Sequence, residues 1–313
     1  MDYEESLMIK TAWYYYLDNM TQQRISEHLG ISRMRVVKLL EKARSTGVIQ
    51  FKIREDSVSR LLMERKLAEV YGLKDTLIAP TTPESTSSNE NIARAAAMYI
   101  SNRLDTNTFI NMGYGETQSH ILNNLATIAE HTLSVVSLTG GVSYYLPNTM
   151  SSTFNAKLYL IPAPLMVSSK EVVDAIRKES SVIEILRMVQ LSSLSVVGIG
   201  ALQDNATIIK SGILNKSDFL YLKMQGAVGD ILCHFIDKDG KLIETSIEDR
   251  LISTPLHTLR KLDNVIGVAA GSEKVDAIRA VLKGGYIDIL ITDESTAAQL
   301  LEENQEAGGN LKN

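Results

Sequence analysis

The 313-residue chain has a single cysteine, Cys233, so it cannot close an internal disulfide. Its five histidines (His28, His120, His131, His234, His257) nowhere repeat at metal-ligand spacing with the cysteine or with one another, which argues against a bound metal. No run of about 18 apolar residues occurs, and the start MDYEESLMIK is acidic where a secretory signal needs a basic then apolar stretch. A soluble cytoplasmic protein with no membrane partner is expected. Neither GxGxxG nor GxxxxGK[ST] is present, so dinucleotide and nucleoside-triphosphate cofactors lose support and no cofactor is expected. Charge of one sign is also missing in bulk, with 32 basic against 37 acidic side chains; this excludes a uniformly basic nucleic-acid coat. What remains is 44% apolar residues, enough for a buried core and two or three domains.

The charge is unevenly placed. Residues 20–54 hold eight basic side chains against two acidic, a net +6, which leaves −11 on the other 278 residues. Such asymmetry fits a small nucleic-acid module tethered to an acidic body, although basic residues also merely solvate helix faces. Within that window the pattern is specific. LMIKTAWYYYL (7–17) has helical spacing and ends at Asp18-Asn19; Thr21 is an N-cap candidate for QQRISEHL; Gly30 suits a left-handed C-cap; Ser32 caps RMRVVKLLEKARS. A turn of about three residues containing glycine between two short amphipathic helices is the helix-turn-helix geometry.

In the third helix Val36, Leu39, Leu40 and Ala43 form the apolar face and leave Ser32, Arg33, Arg35, Lys38 and Lys42 outward. Arg33 sits in the first turn, where a guanidinium opposes the helix dipole unless a phosphate or guanine compensates it. Gln22 and Gln23 open the second helix and can reach phosphates or base edges. VIQFKI (48–53) alternates like a short strand and would complete a wing. The alternative is a helical bundle with a basic side. Trp13 is expected in the core, and Tyr14, Tyr15 and Tyr16 should divide between core and backbone contact.

Residues 57–71 predict a connecting helix whose seam (Val58, Leu61, Leu62, Leu67, Val70) either dimerises or packs on its own body, and 81–91 predict a polar loop. Beyond residue 92, helical segments (91–104, 116–130, 170–190) alternate with β-rich runs (108–115, 133–141, 156–164, 194–201), the signature of a parallel sheet with helices on its faces. Such folds bind ligands beyond the carboxyl ends of strands, at glycine turns that precede helices. Three turns qualify: Gly113-Tyr114-Gly115-Glu116-Thr117, Thr139-Gly140-Gly141, and Gly198-Ile199-Gly200. Together they point to a phosphorylated small ligand. Asp230, after Gly226 and Gly229, and Lys283, before Gly284-Gly285, supply a carboxylate and an ammonium for hydroxyls and phosphate; the competing readings are a helix N-cap for DILCHFID and an ordinary solvated lysine.

The segments MTQQRISEHLGISRMRVVKLLEKARSTGVI, GYGET, SLTGGV, VVGIGA, GAVGDI and LKGGYIDILITDESTAAQLL resemble the SorC family of bacterial regulators over nearly the whole chain. The resemblance implies an α/β fold: a winged helix-turn-helix in residues 1–56 and, in 57–313, a doubly wound, mostly parallel-sheet effector domain similar to the phosphosugar isomerases. It also implies operator DNA and a sugar-phosphate effector as partners, repression as the activity, and a homodimer or homotetramer. FNAKLYLIPAPLMVSS and DNATIIKSG are similar to the members that control autoinducer-2 uptake, whose effector would be phosphorylated autoinducer-2. Pro164 and Leu165 stand where the glycolytic member would carry an arginine, which favours a monophosphate. By the same resemblance Asp230 and Lys283 contact the effector, and Gln22, Gln23, Arg33 and Arg35 lie on the DNA-contacting surface.

The competing function is a phosphosugar isomerase or deaminase with an added DNA-binding segment. Isomerisation needs a base near the substrate carbonyl, and Glu116 and Asp230 are candidates. Neither has a histidine at a strand-end turn, since His234 is expected one turn into a helix after Asp230. No catalytic residue is assigned.

Overall fold

The computed structural model describes residues 3–49, 55–80, 88–105, 108–141 and 155–309. The chain forms two compact units, Met1–Val58 and Ser59–Asn313.

The first unit holds α1 (Tyr3–Tyr16), α2 (Gln22–Leu29) and α3 (Arg33–Ser45). Thr21 Oγ1 accepts from the Arg24 N–H and Ser32 Oγ from the Arg35 N–H, both at 3.3 Å, so each hydroxyl satisfies a donor that the helix cannot. Gly30, at φ 64°, ends α2 in the left-handed conformation that costs glycine least. Val36, Leu39, Leu40 and Ala43 are buried with Ile25, Leu7, Met8 and Ala12, as their spacing predicts. Trp13 is a correction. It is 57% exposed, because α1 buries the Leu7, Met8, Thr11 and Ala12 stripe and position 13 turns away from it. All three tyrosines are half-buried at the edge of the cluster, Tyr15 and Tyr16 edge to face. Of the wing strand expected at 48–53, residues 50–53 lie outside the described residues.

The second unit begins in α4 (Glu55–Tyr71), which buries Leu67 and leaves Leu61, Leu62 and Val70 exposed. The strands are β1 (Asp75–Ala79), β2 (Phe109–Met112), β3 (Leu133–Ser137), β4 (Ala156–Tyr159), β5 (Leu194–Ala201), β6 (Ala227–Ile231), β7 (His234–Asp237), β8 (Val265–Val268) and β9 (Ile289–Asp293). Seven of them run parallel in the order β1-β9-β8-β5-β2-β3-β4. Side chains alternate between two cores: Val135 and Val196 face α5 (Ser88–Ser101) and α6 (Glu116–Ile128), while Val136 and Val197 face α8 (Ser180–Leu191) and α12 (Val275–Lys283). Both faces are covered, which is why these strands read as continuous apolar runs. The remaining helices are α7 (Lys170–Ile176), α9 (Thr207–Lys210), α10 (Lys216–Met224), α11 (Leu256–Leu259) and α13 (Glu294–Gly309).

Strands β2, β3 and β4 step outward in one direction, and β5 then returns to the other side of β2. The order therefore reverses between β2 and β5, a topological switch point. Asn111 holds the pair from within: its Nδ2 donates to the Val189 carbonyl (2.9 Å) and to Ser195 Oγ (3.0 Å), and its Oδ1 accepts from Ser192 Oγ (2.8 Å). Every polar group of that buried amide is satisfied.

Three further expectations change. The helix expected over 170–190 is two, because Glu179 takes an extended conformation and a new helix starts at Ser180. The polar loop at 81–91 is shorter, since α5 starts at Ser88; residues 81–87 lie outside the described residues. The helix expected after Asp230 is a β-hairpin: Asp230 is in β6, His234 in β7, and Leu232 (φ 55°) and Cys233 (φ 66°) make the turn. Two positive φ values match the twist of a hairpin, and the strands' own pairing outweighs the unfavourable residue types. The N-cap reading of Asp230 falls with the helix.

Candidate functional site

At the switch point β2 runs into Gly113, whose N–H donates to the Val196 carbonyl (2.7 Å) and whose missing side chain admits Leu232. Gly115 (φ 134°) caps α6 without a side-chain bond, and the first helical hydrogen bond is from Ser119 N–H to the Gly115 carbonyl (3.0 Å). The N–H groups of Glu116, Thr117 and Gln118 thus lack partners within the helix and carry its positive end. They face a cleft of about 330 Å³ whose other walls are the end of β5, the segment 203–210 with the N-terminus of α9, the β6–β7 hairpin and the turn leading into α12.

Asp230 lies across β5, opposite Gly200, where a Cβ would overlap its Oδ1. Its Oδ2 accepts from the Cys233 N–H (3.1 Å). Burial pushes the carboxyl up to about 6 against that hydrogen bond and the opposing pull of Lys274 and His234. Lys274, in the 3-10 turn Ser272–Lys274 after β8, shifts the other way: burial lowers its pKa, resisted by Glu273, Asp230 and Glu116. Each group disfavours its own charge through burial and favours it through the other. The Cys233 thiol beside them is held far above its usual value, mainly by burial, so it stays neutral. The cleft therefore offers a helix N-terminus, an ammonium and a carboxylate, enough to hold an anionic end and a hydroxylated end of one small molecule.

Of the residues predicted for a ligand, Tyr114, Gly115, Glu116, Thr117, Gly198, Gly200 and Asp230 line this cleft, and Gly113 lies under its floor. Thr139, Gly140 and Gly141 do not line it. Thr139 bridges Ser253, Gly141 N–H donates to the Ala163 carbonyl (2.8 Å), and Gly140 lies against the backbone of Ala163 and Pro164. Lys283 is exposed at the end of α12, its Nζ 3.4 Å from the Lys238 carbonyl and 3.9 Å from Asp239. Among the cleft residues not predicted are Gln118, Gln203, Asn205, Lys210, Glu273 and Lys274. The signal for Lys274 is in VIGVAAGSEKV, an apolar strand running through Gly271 into a helix; that for Gln118 is its place three residues after a glycine cap.

In the first unit Ser32, Arg33, Arg35, Lys38 and Lys42 are all exposed along α3. Gln22, Gln23 and Arg33 meet around an open hollow of about 920 Å³ with Tyr15, Tyr16 and Thr21. Gln23 Nε2 donates to Glu27 Oε1 (2.8 Å), and Lys42 is 3.3 Å from Glu4, an exposed pair of small energetic value.

Among the described residues no cluster of three or more His, Cys, Asp or Glu could hold a metal, and no helix is long and apolar enough to cross a membrane. Residues 56–302 match the family described as "Putative sugar-binding domain". The chain is 36% identical over 304 residues to the transcriptional regulator LsrR of Klebsiella pneumoniae, covering 95% of this chain and 93% of that one. It is 34% identical over 302 residues to LsrR of Escherichia coli, covering 95% of each. Among solved structures, the full-length sorbitol operon regulator SorC of Klebsiella pneumoniae superposes with a TM-score of 0.67 at 25% identity, over 96% of this chain and all of that one.

Proposed function

The chain belongs to the SorC family of transcriptional regulators, and from that membership we propose that it represses a carbohydrate or autoinducer-2 uptake operon in the cytoplasm under control of a phosphorylated sugar-like effector. Residues 1–56 bind operator DNA and 57–313 bind effector and assemble the oligomer. The observation that carries the effector reading is the uncapped N-terminus of α6 facing Asp230 and Lys274 across one cleft at the switch point.

In this reading the phosphate takes the N–H groups of residues 116–118, Lys274 neutralises it, and Asp230 accepts hydroxyl protons from the sugar. A monophosphate is favoured by Pro164 and Leu165 standing where the glycolytic member would carry an arginine, and phosphorylated autoinducer-2 is the effector that the sequence resemblance implies. Operator recognition falls to Arg33 at a base edge, with Gln22, Gln23, Ser32, Arg35, Lys38 and Lys42 on bases and phosphates. Leu61, Leu62 and Val70, uncovered on α4, support a dimer or tetramer. The isomerase alternative is not favoured, since the relatives are regulators by name.

Coupling requires the effector to bind the two DNA-relevant arrangements unequally. Effector and operator must then alter each other's affinity by one factor, roughly 5- to 150-fold for a coupling of about 1–3 kcal/mol. The test is operator binding by fluorescence anisotropy with and without phosphorylated autoinducer-2 and pentose and hexose monophosphates. A parent sugar acting as strongly as its phosphate overturns the phosphate reading, and turnover of any of them restores the enzyme alternative.

A further inference from the structure

One polar group in the cleft wall is unaccounted for. Gln118 is 3% exposed, yet its Nε2 has no hydrogen-bond partner. Burial of an unpaired amide N–H₂ opposes folding, and a methionine of the same length would fill the space without that penalty. The surroundings are nonetheless shaped to admit the amide. Gly198 leaves room for it, since a Cβ there would lie 2.5 Å from Oε1 and 3.1 Å from Nε2, and a Cβ on Gly115 would lie 3.2 Å from Oε1. Gly198 in β5 and Gly115 at the N-cap of α6 therefore keep one amide at the mouth of the helix. Gln118 is the third residue of α6, a position whose side chain reaches back toward the cap, where the first N–H groups open on the cleft.

We propose that Gln118 is the side-chain donor for the anionic group of the effector, left unpaired by folding so that binding satisfies it. The inference rests on the reading of this cleft as the effector site. It identifies the anion as one with several acceptor oxygens, a phosphate or phosphonate, because one oxygen must meet the helix N–H groups while another meets the amide. A neutral amide adds no charge, so discrimination by Gln118 is by acceptor position, whereas Lys274 and the helix end act through charge.

The test uses full-length protein with inorganic phosphate, D-ribose 5-phosphate, D-fructose 6-phosphate and phosphorylated autoinducer-2, each organic phosphate against its unphosphorylated parent, followed by thermal unfolding and calorimetry. Gln118→Met should unfold at the same or a higher temperature than wild type without ligand, yet bind the preferred phosphate about tenfold or more weakly, as the loss of a hydrogen bond to a charged oxygen predicts. These opposite signs separate a ligand donor from a structural amide. Gln118→Glu keeps the volume and replaces donor by acceptor, so it should lose phosphate binding altogether. A Met variant that melts lower and keeps full affinity, or a Glu variant that binds phosphate like wild type, overturns the assignment while leaving the cleft reading intact. A wild-type protein indifferent to every phosphate sinks the cleft reading, and this assignment with it.

Discussion

The turns after β2 and β3 look alike in sequence, each an apolar strand running into glycine, yet one opens on a cleft and the other is sealed. Residues 113–118 face empty space because β5, the next strand in the sheet, returns from the far side of the switch point. Thr139–Gly141 end a strand inside the β2-β3-β4 run, and the space above them is filled by Ala163, Pro164 and the bridge to Ser253. Glycine at a strand end permits close approach, but the topology decides whether a ligand or the protein's own backbone makes it.

Substitutions can break this contrast. Gly140→Ala would place a Cβ 2.8 Å from the Ala163 carbonyl oxygen, among backbone atoms that cannot rotate away. We expect a loss of about 3 kcal/mol in urea unfolding with unchanged effector affinity in the folded fraction. Gly115→Ala, at φ 134° where an L side chain is strained, should also lose stability but, unlike Gly140→Ala, should forfeit effector affinity in the folded fraction; equal effector affinity of the two would erase the distinction.

The two lysines sharpen it next. Effector at 100 times its dissociation constant should stabilise wild type by about 2.7 kcal/mol. Lys274→Ala should lose that gain and Lys283→Ala keep it, measured by thermal shift. The same division between reaching and sealing side chains holds in the first unit. Arg33→Ala should leave unfolding within about 0.5 kcal/mol of wild type and cost about 1–3 kcal/mol at the operator, less on random DNA. Ser32→Ala should instead cost about 1 kcal/mol of stability through the lost cap.

Asp230 gives the smallest and most diagnostic effect. With its pKa raised to about 6, the folded protein holds a proton between pH 4 and 6 that the unfolded chain has released. Stability therefore falls as pH rises through that window. Asp230→Asn keeps an acceptor for the Cys233 N–H and should flatten the slope, gaining about 1 kcal/mol at pH 7 after allowance for solvent and for Lys274. A steeper slope in the variant would show that the carboxylate is held charged.

Much of the first unit was legible, since Thr21, Gly30 and Ser32 act on their nearest neighbours and local chemistry fixes them. Trp13 was misjudged because burial there depends on which face of α1 meets α3. In the second unit the apolar runs marked strands β2, β3 and β5 but not their spatial order, and only the order identifies the open turn. The hairpin at 227–237 was hidden because its turn uses Leu232 and Cys233 in place of Asn or Gly. Lys283 precedes glycines that serve to end α12, whereas Lys274 reaches the cleft because β8 lies next to β5 in the sheet, a neighbour relation that the strand-glycine-helix run VIGVAAGSEKV does not by itself give.

Gly200 and Asp230 occupy a single volume. Because any Cβ at 200 would overlap the tip of the carboxylate, alanine at 200 forces Asp230 either to turn its carboxylate off the Cys233 N–H or to give way to a smaller residue. Lineages that dispense with the carboxylate should therefore be released from glycine at 200, and the two sites should drift together.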